Sequence, residues 1–133
     1  MRAAKAVSAM VAAFPEANVF DYSAFIAAAA LPDRDDQHVL AAALKTRASM
    51  LVTENIEDFP ADVLGKLGLE VNTADEFIAD AVELDPALAI QAVARMRARF
   101  NRPALDAAEM LLRMEGVGLV ATASTLRPFE GSL

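Results

Sequence analysis

The sequence predicts an α/β fold built on a parallel sheet and followed by an all-helical tail. Residues 35–82 alternate helix, strand, helix, strand, helix, which is the pattern of parallel α/β units. "SMLVT" at 49–53 is a short apolar run flanked by polar residues, as buried parallel strands are, and "LEV" at 69–71 is expected as a second short strand. From Asp85 onward no such run recurs, and caps and glycines mark off helices only.

Each element has its own local reason. Residues 2–13 are rich in alanine and spaced as an amphipathic helix, which Pro15 ends. "ANVF" at 17–20 is expected as a third short strand, and 23–30 as a short alanine-rich helix. Asp35 is the expected N-cap of a helix over 36–47, its carboxylate accepting from free first-turn N–H groups. Pro60 suits the first turn of a helix that ends at Gly68. Thr73 and Glu76 form a capping box for a helix to about residue 82. Asp85-Pro86 opens a helix to about residue 100, and Asp106 with Glu109 forms a second capping box for a helix to about 115. Gly116 and Gly118 then break the chain before a last helix at 119–126. The expected organisation is an α/β part over 1–83 and a helical extension over 84–133.

At 133 residues the chain is long enough for one modest core, and 56% apolar residues exclude disorder as its overall state. The opening "MRAAKAVSAMVAAFPEA" faintly imitates a secretion signal, but its apolar part is weak and an ordinary amphipathic helix is the better reading. No apolar run approaches the roughly 18 residues that span a bilayer, so no membrane partner is expected. The absence of cysteine excludes disulfides, zinc–thiolate sites and thiol nucleophiles, and a cytoplasmic location fits it. A net charge of −7 argues against gripping nucleic acid by bulk charge. The charge is uneven: residues 16–85 carry a net −11, whereas 86–133 carry a net +2.

The acid gathers around the most apolar segment, at Asp33, Asp35, Asp36, Glu54, Glu57 and Asp58. Crowded carboxylates repel one another, so a cation is expected among them. Ligands of parallel sheets bind beyond the carboxyl ends of strands, where Asn55 and Asp58 follow the strand at 49–53. Asp36 opens a neighbouring helix, and hard divalent cations take carboxylate and water oxygens. The plainer readings stand beside this one. Asp35 and Asp36 also serve as helix caps, and Asp58 starts the turn before Phe59-Pro60. His38, two residues after Asp36, is read either as a contact for metal, RNA phosphate or a partner or, more commonly at a helix start, as structural.

"DDQHVLAAALKTRASMLVTENIEDFP", followed by "LGLEVNTADEFI", resembles the later half of a PIN domain, the nuclease fold of VapC-type toxins. The resemblance rests on an Asp opening a helix that runs into "AAA", then "LVT-x-N-x-x-DFP", then a strand and the "DEF" helix. It covers residues 14–80 best, and the helical tail is similar to the extension of one PIN subfamily. It implies the C-terminal portion of a PIN-like parallel-sheet sandwich and Mg²⁺- or Mn²⁺-dependent endoribonuclease activity on RNA. Asp36 and Asp58 would be metal carboxylates in it. Asn55 would orient Asp58, a water or the phosphate, and Thr53 would assist at the strand end. Asp33 and Asp35 would tune the local field without binding metal.

The family also has an opening strand with an essential Asp and a later helix with a Glu. Neither is found among these residues, so the resemblance implies a half-built site and an open sheet edge. The favoured expectation is one half of a split nuclease of a toxin–antitoxin system. Its partners would be a separately encoded N-terminal half, an antitoxin and RNA. The alternatives are a decayed gene product held together by oligomerisation, and an inactive PIN-like module that binds another protein or itself. A haloacid-type phosphatase is disfavoured because it too needs an Asp on a first strand. Arg95, Arg99 and Arg102 fall on one helix face, read either as a solvated surface or as a contact for RNA phosphates or an acidic partner. Met96, Phe100, Met110, Leu111 and Met114 are expected in helix packing or in an adaptable protein-binding groove.

Overall fold

The computed structural model describes residues 2–27 and 30–133. The chain divides into two compact units, one of Met1–Leu51 with Asn55–Val71, the other of Val52–Glu54 with Asn72–Leu133. Two three-residue strands, β1 (Met50–Val52) and β2 (Glu70–Asn72), make a two-stranded sheet. Glu70 N–H donates to Ser49 C=O and Thr53 N–H to Asn72 C=O, each at 2.9 Å. Residue numbers rise together along both strands, so the pair is parallel, as the apolar runs at 49–53 and 69–71 predict.

In the first unit α1 (Arg2–Ala13) forms as expected and buries no residue. The strand expected at 17–20 is not formed: Pro15–Ala17 is a single 3₁₀ turn, and residues 18–20 run on without a ladder. Pro15 has no N–H to give, Asp21 takes a left-handed φ of 54°, and a strand is stable only against a partner. The helix expected over 23–30 is a 3₁₀ turn at Ser23–Phe25, and residues 28 and 29 of that expectation lie outside the described residues.

Asp35 does not cap the next helix. A 3₁₀ turn at Arg34–Asp36 comes first, Asp33 accepts from Asp35 N–H at its start, and α2 (Gln37–Lys45) begins after Asp36. The β1–β2 crossover carries α3 (Ala61–Gly65), with Pro60 just before it. Leu69 N–H donates to Leu64 C=O and Gly68 N–H to Gly65 C=O, a Schellman ending that needs the left-handed φ of 74° found at Gly68. The core of this unit is Leu31, Leu40, Leu51, Phe59, Leu64 and Leu69, with α2 and α3 supplying the leucines that meet the strands.

The second unit holds α4 (Ala74–Leu84), α5 (Pro86–Ala98), α6 (Ala107–Gly116) and α7 (Val120–Leu126). Both predicted capping boxes are present, at Thr73/Glu76 and Asp106/Glu109, and Asp85 accepts from Leu88 N–H. Glu54 adds a carboxylate on Ala74 N–H at 3.0 Å. Val82, Met110, Leu111, Ala123, Leu126 and Leu133 form the core. Arg97 turns inward, donating to the carbonyls of Leu133 at 2.6 Å and Leu105 at 3.1 Å.

Helix α7 has no cap of its own, because Leu119 stands at its N-cap position. Asp75 of α4 substitutes for it, accepting from Ala121 N–H and Thr122 N–H at 2.8 Å each, while Thr122 Oγ donates to Asp75 C=O. The Thr122 N–H bond is the main reason the Asp75 carboxyl sits below its ordinary pKa, and the Ala121 bond adds to it against desolvation. A depressed carboxylate stabilises the fold above its unfolded pKa, and that contribution is lost as pH falls through the folded value. Asp75→Asn is expected to lower the melting temperature at pH 6 and to flatten its decline as pH falls below the ordinary Asp value of 3.8. Melting curves that run parallel for the two proteins would contradict this.

Candidate metal centre

Two 3₁₀ turns of the first unit bring the carboxylates together. The first, Arg34–Asp36, follows the buried Leu31 and leads into α2. Asp33 uses one oxygen to accept from Asp35 N–H at 2.8 Å. Asp36 holds the N-cap position of α2, yet its side chain makes no capping bond, which leaves the carboxylate for another use. The second turn, Ile56–Asp58, follows β1, and Phe59, 3% exposed, pins its end into the core. Asn55 Nδ2 donates to Asp58 Oδ2.

Asp33, Asp36 and Asp58 each offer a carboxylate oxygen, and these oxygens all lie within 4.8 Å of one another. Asp36 and Asp58 are half-buried, and Asp33 is exposed. Two unit charges at that separation repel by about 1 kcal/mol even with water-like screening, and by several times more near a protein surface. A divalent cation reverses the sign of that balance. Three carboxylate oxygens with no sulfur or imidazole among them form a donor set for a hard cation such as Mg²⁺ or Mn²⁺.

The structure thus brings Asp36, Asp58 and Asn55 into one neighbourhood and adds Asp33, for which the sequence suggested only a field effect. Asp35 is not in the group; its amide and carbonyl serve the turn. His38 sits on the first turn of α2, with Nδ1 2.6 Å from Asp35 C=O. That acceptor fixes the proton on Nδ1 and leaves Nε2 as the ring's outward atom. Thr53 follows β1 in the second unit, its N–H on Asn72 C=O. Arg95 on α5, Arg99 at its C-cap and Arg102 beyond it are exposed and belong to the second unit. Among the described residues the one ion pair is Arg127–Glu115, so these three guanidinium groups face solvent without a carboxylate.

No helix among the described residues is long and apolar enough to cross a membrane. Residues 74–128 match a family model described as the VapC50 C-terminal domain. The match covers the helical tail and contains none of Asp33, Asp36, Asn55 and Asp58. The chain is also similar to the putative ribonuclease VapC50 of Mycobacterium tuberculosis (strain ATCC 25618 / H37Rv), 41% identical over 49 residues. The aligned stretch takes in 37% of this chain and 29% of that relative. No solved structure matches.

Proposed function

We propose that this chain supplies Asp33, Asp36 and Asp58 to the metal site of a VapC-type endoribonuclease that cleaves RNA. The observation that carries the reading is the convergence of three carboxylate oxygens within 4.8 Å, one of them on a side chain oriented by Asn55. The sheet of β1 and β2 is, in this reading, part of a larger PIN-like parallel sheet. A cytoplasmic location and an antitoxin protein as inhibitor follow from the same relationship.

Asp36 and Asp58 would hold the cation, with Asp33 as a third carboxylate. A bound Mg²⁺ or Mn²⁺ supplies Lewis-acid polarisation of the scissile phosphate and charge against its developing negative oxygens. Asn55 fixes the Asp58 rotamer through Oδ2, which keeps the other oxygen free for the cation; such outer contacts are worth about 10–100-fold in metal affinity or activity. The remaining acidic groups, an Asp at a strand end and a Glu on a helix, come from outside these 133 residues. We place them on a second polypeptide, with a longer form of the same protein as the other source.

The experiment is affinity purification of the tagged chain from its own cells, mass spectrometry of what accompanies it, and an RNA cleavage assay on the material. The expected result is Mn²⁺-dependent cleavage that a chelator removes, together with a co-purifying polypeptide or an extended form of the chain. Cleavage that survives chelation, or none under any metal, would overturn the reading and favour a binding module.

A further inference from the structure

The second unit carries an apolar groove of about 250 Å³ between the end of α5 and one face of α6. Met96 and Phe100 form one wall, and Met110, Met114 and Val117 with Arg113 form the other. Met110 is buried in the core, but Met96, Phe100 and Val117 are 41%, 45% and 76% exposed. These three side chains leave apolar surface in water on two neighbouring helices. Thioether side chains repack readily, so a wall of methionines accommodates an incoming surface without strain.

We propose that this groove docks an acidic amphipathic helix of a partner protein. The shape supports a helix: Met96 and Phe100 at the end of α5 and Met114 and Val117 at the end of α6 line two sides of the groove over buried Met110, which leaves an apolar channel for one edge of an incoming helix. The charge supports an acidic one. Arg113 is the one cation in the lining, and it has no carboxylate partner among the described residues. Arg99 lies three residues after Met96 on the adjoining stripe of α5, and Arg95 and Arg102 are exposed at the same end. Residues 86–133 carry a net +2, against −11 for residues 16–85. Carboxylates flanking the apolar anchors of a partner meet these guanidinium groups in bidentate geometry.

The other occupants fit less well. The exposed apolar stripe of α1, with Val7, Met10, Val11 and Phe14, is a possible insert from a second copy, but its helix carries only the cations Arg2 and Lys5. That places like charge against Arg113. A nucleic acid finds one aromatic side chain, Phe100, for stacking and one lining cation, Arg113, in a groove otherwise lined by Leu, Met and Val side chains that offer nothing to a base edge. The inference does not depend on the nuclease reading, because the groove shares no residue with the Asp33–Asp36–Asp58 cluster.

The test uses the full chain and a fluorescein-labelled, 14-residue helical peptide with Leu at i, i+4 and i+7 and Glu on both flanks, read by anisotropy. A second peptide carries Lys in place of every Glu. The Glu peptide is expected to bind about tenfold or more tightly than the Lys peptide, with Arg113→Glu reversing the order. Val117→Asp is expected to remove binding of the Glu peptide while the melting temperature holds, since Val117 is 76% exposed. Equal binding of the two peptides, binding of neither, or a preference that Arg113→Glu leaves unchanged overturns the proposal. Displacement of the Glu peptide by a single-stranded RNA 12-mer, or a dimer that Val117→Asp dissociates, overturns it in favour of those occupants.

Discussion

Asp36→Asn is expected to abolish RNA cleavage by the completed nuclease while leaving the chain folded. Asp58→Asn should do the same, and Asn55→Ala should lower activity about 10–100-fold by freeing the Asp58 carboxylate from its hydrogen bond. Loss of function and loss of fold separate at these positions. Without a cation, Asp33, Asp36 and Asp58 repel one another within 4.8 Å, so each neutral substitution removes a destabilising charge. The metal-free variants should therefore melt at the wild-type temperature or slightly above it. A variant with full activity would remove that residue from the site. A variant that unfolds would show that its carboxylate has a structural partner instead.

Leu111→Ala has the largest expected effect on stability. Leu111 is 0% exposed at the middle of α6 and is part of the core with Val82, Met110, Ala123, Leu126 and Leu133. Removing its isobutyl group forfeits the burial and leaves a cavity in a unit with a small core, at about 2–5 kcal/mol. For a domain of this size that is a fall of roughly 10 °C in melting temperature. Its neighbour supplies the control: Leu112 is 61% exposed, and Leu112→Ala should stay within about 0.5 kcal/mol of wild type. Circular dichroism melts of the two variants check both values. Equal losses would mean that the packing of α6 differs from that described.

The parts of the fold that were legible in the sequence are those set by near neighbours. Thr73 with Glu76, Asp106 with Glu109 and Asp85 before Pro86 each start a helix through contacts three residues apart, and each is found in place. The runs at 49–53 and 69–71 became β1 and β2 for the same reason, although Leu51 alone is buried among the residues of the two strands. What was not legible depends on distant chain. Residues 17–20 have strand-like composition but no partner to pair with, and they do not form one. Asp35 was the expected cap on spacing alone, yet the 3₁₀ turn that precedes α2 shifts the capping role to Asp33.

The site shows the same division. Asp36, Asp58 and Asn55 could be singled out because they sit at a helix start and beyond a strand end. Asp33 joins them through local spacing too, three residues before Asp36 across a 3₁₀ turn that aligns i with i+3. Asp75 reads locally as a first-turn acid of α4, while its carboxylate is spent on the N–H groups of residues 121 and 122, some forty-six residues away. Among the arginines of α5, alternation at 95, 97 and 99 gave no sign that Arg97 alone turns inward to the carbonyls of Leu105 and Leu133.

The most direct measurement is a Mn²⁺ titration of the purified chain followed by electron paramagnetic resonance, with Asp36→Asn beside it. One saturable site is expected in the wild-type chain, lost in the variant and competed by Mg²⁺. No saturable binding, or binding that Asp36→Asn leaves unchanged, would contradict the assignment of Asp33, Asp36 and Asp58 as a metal centre.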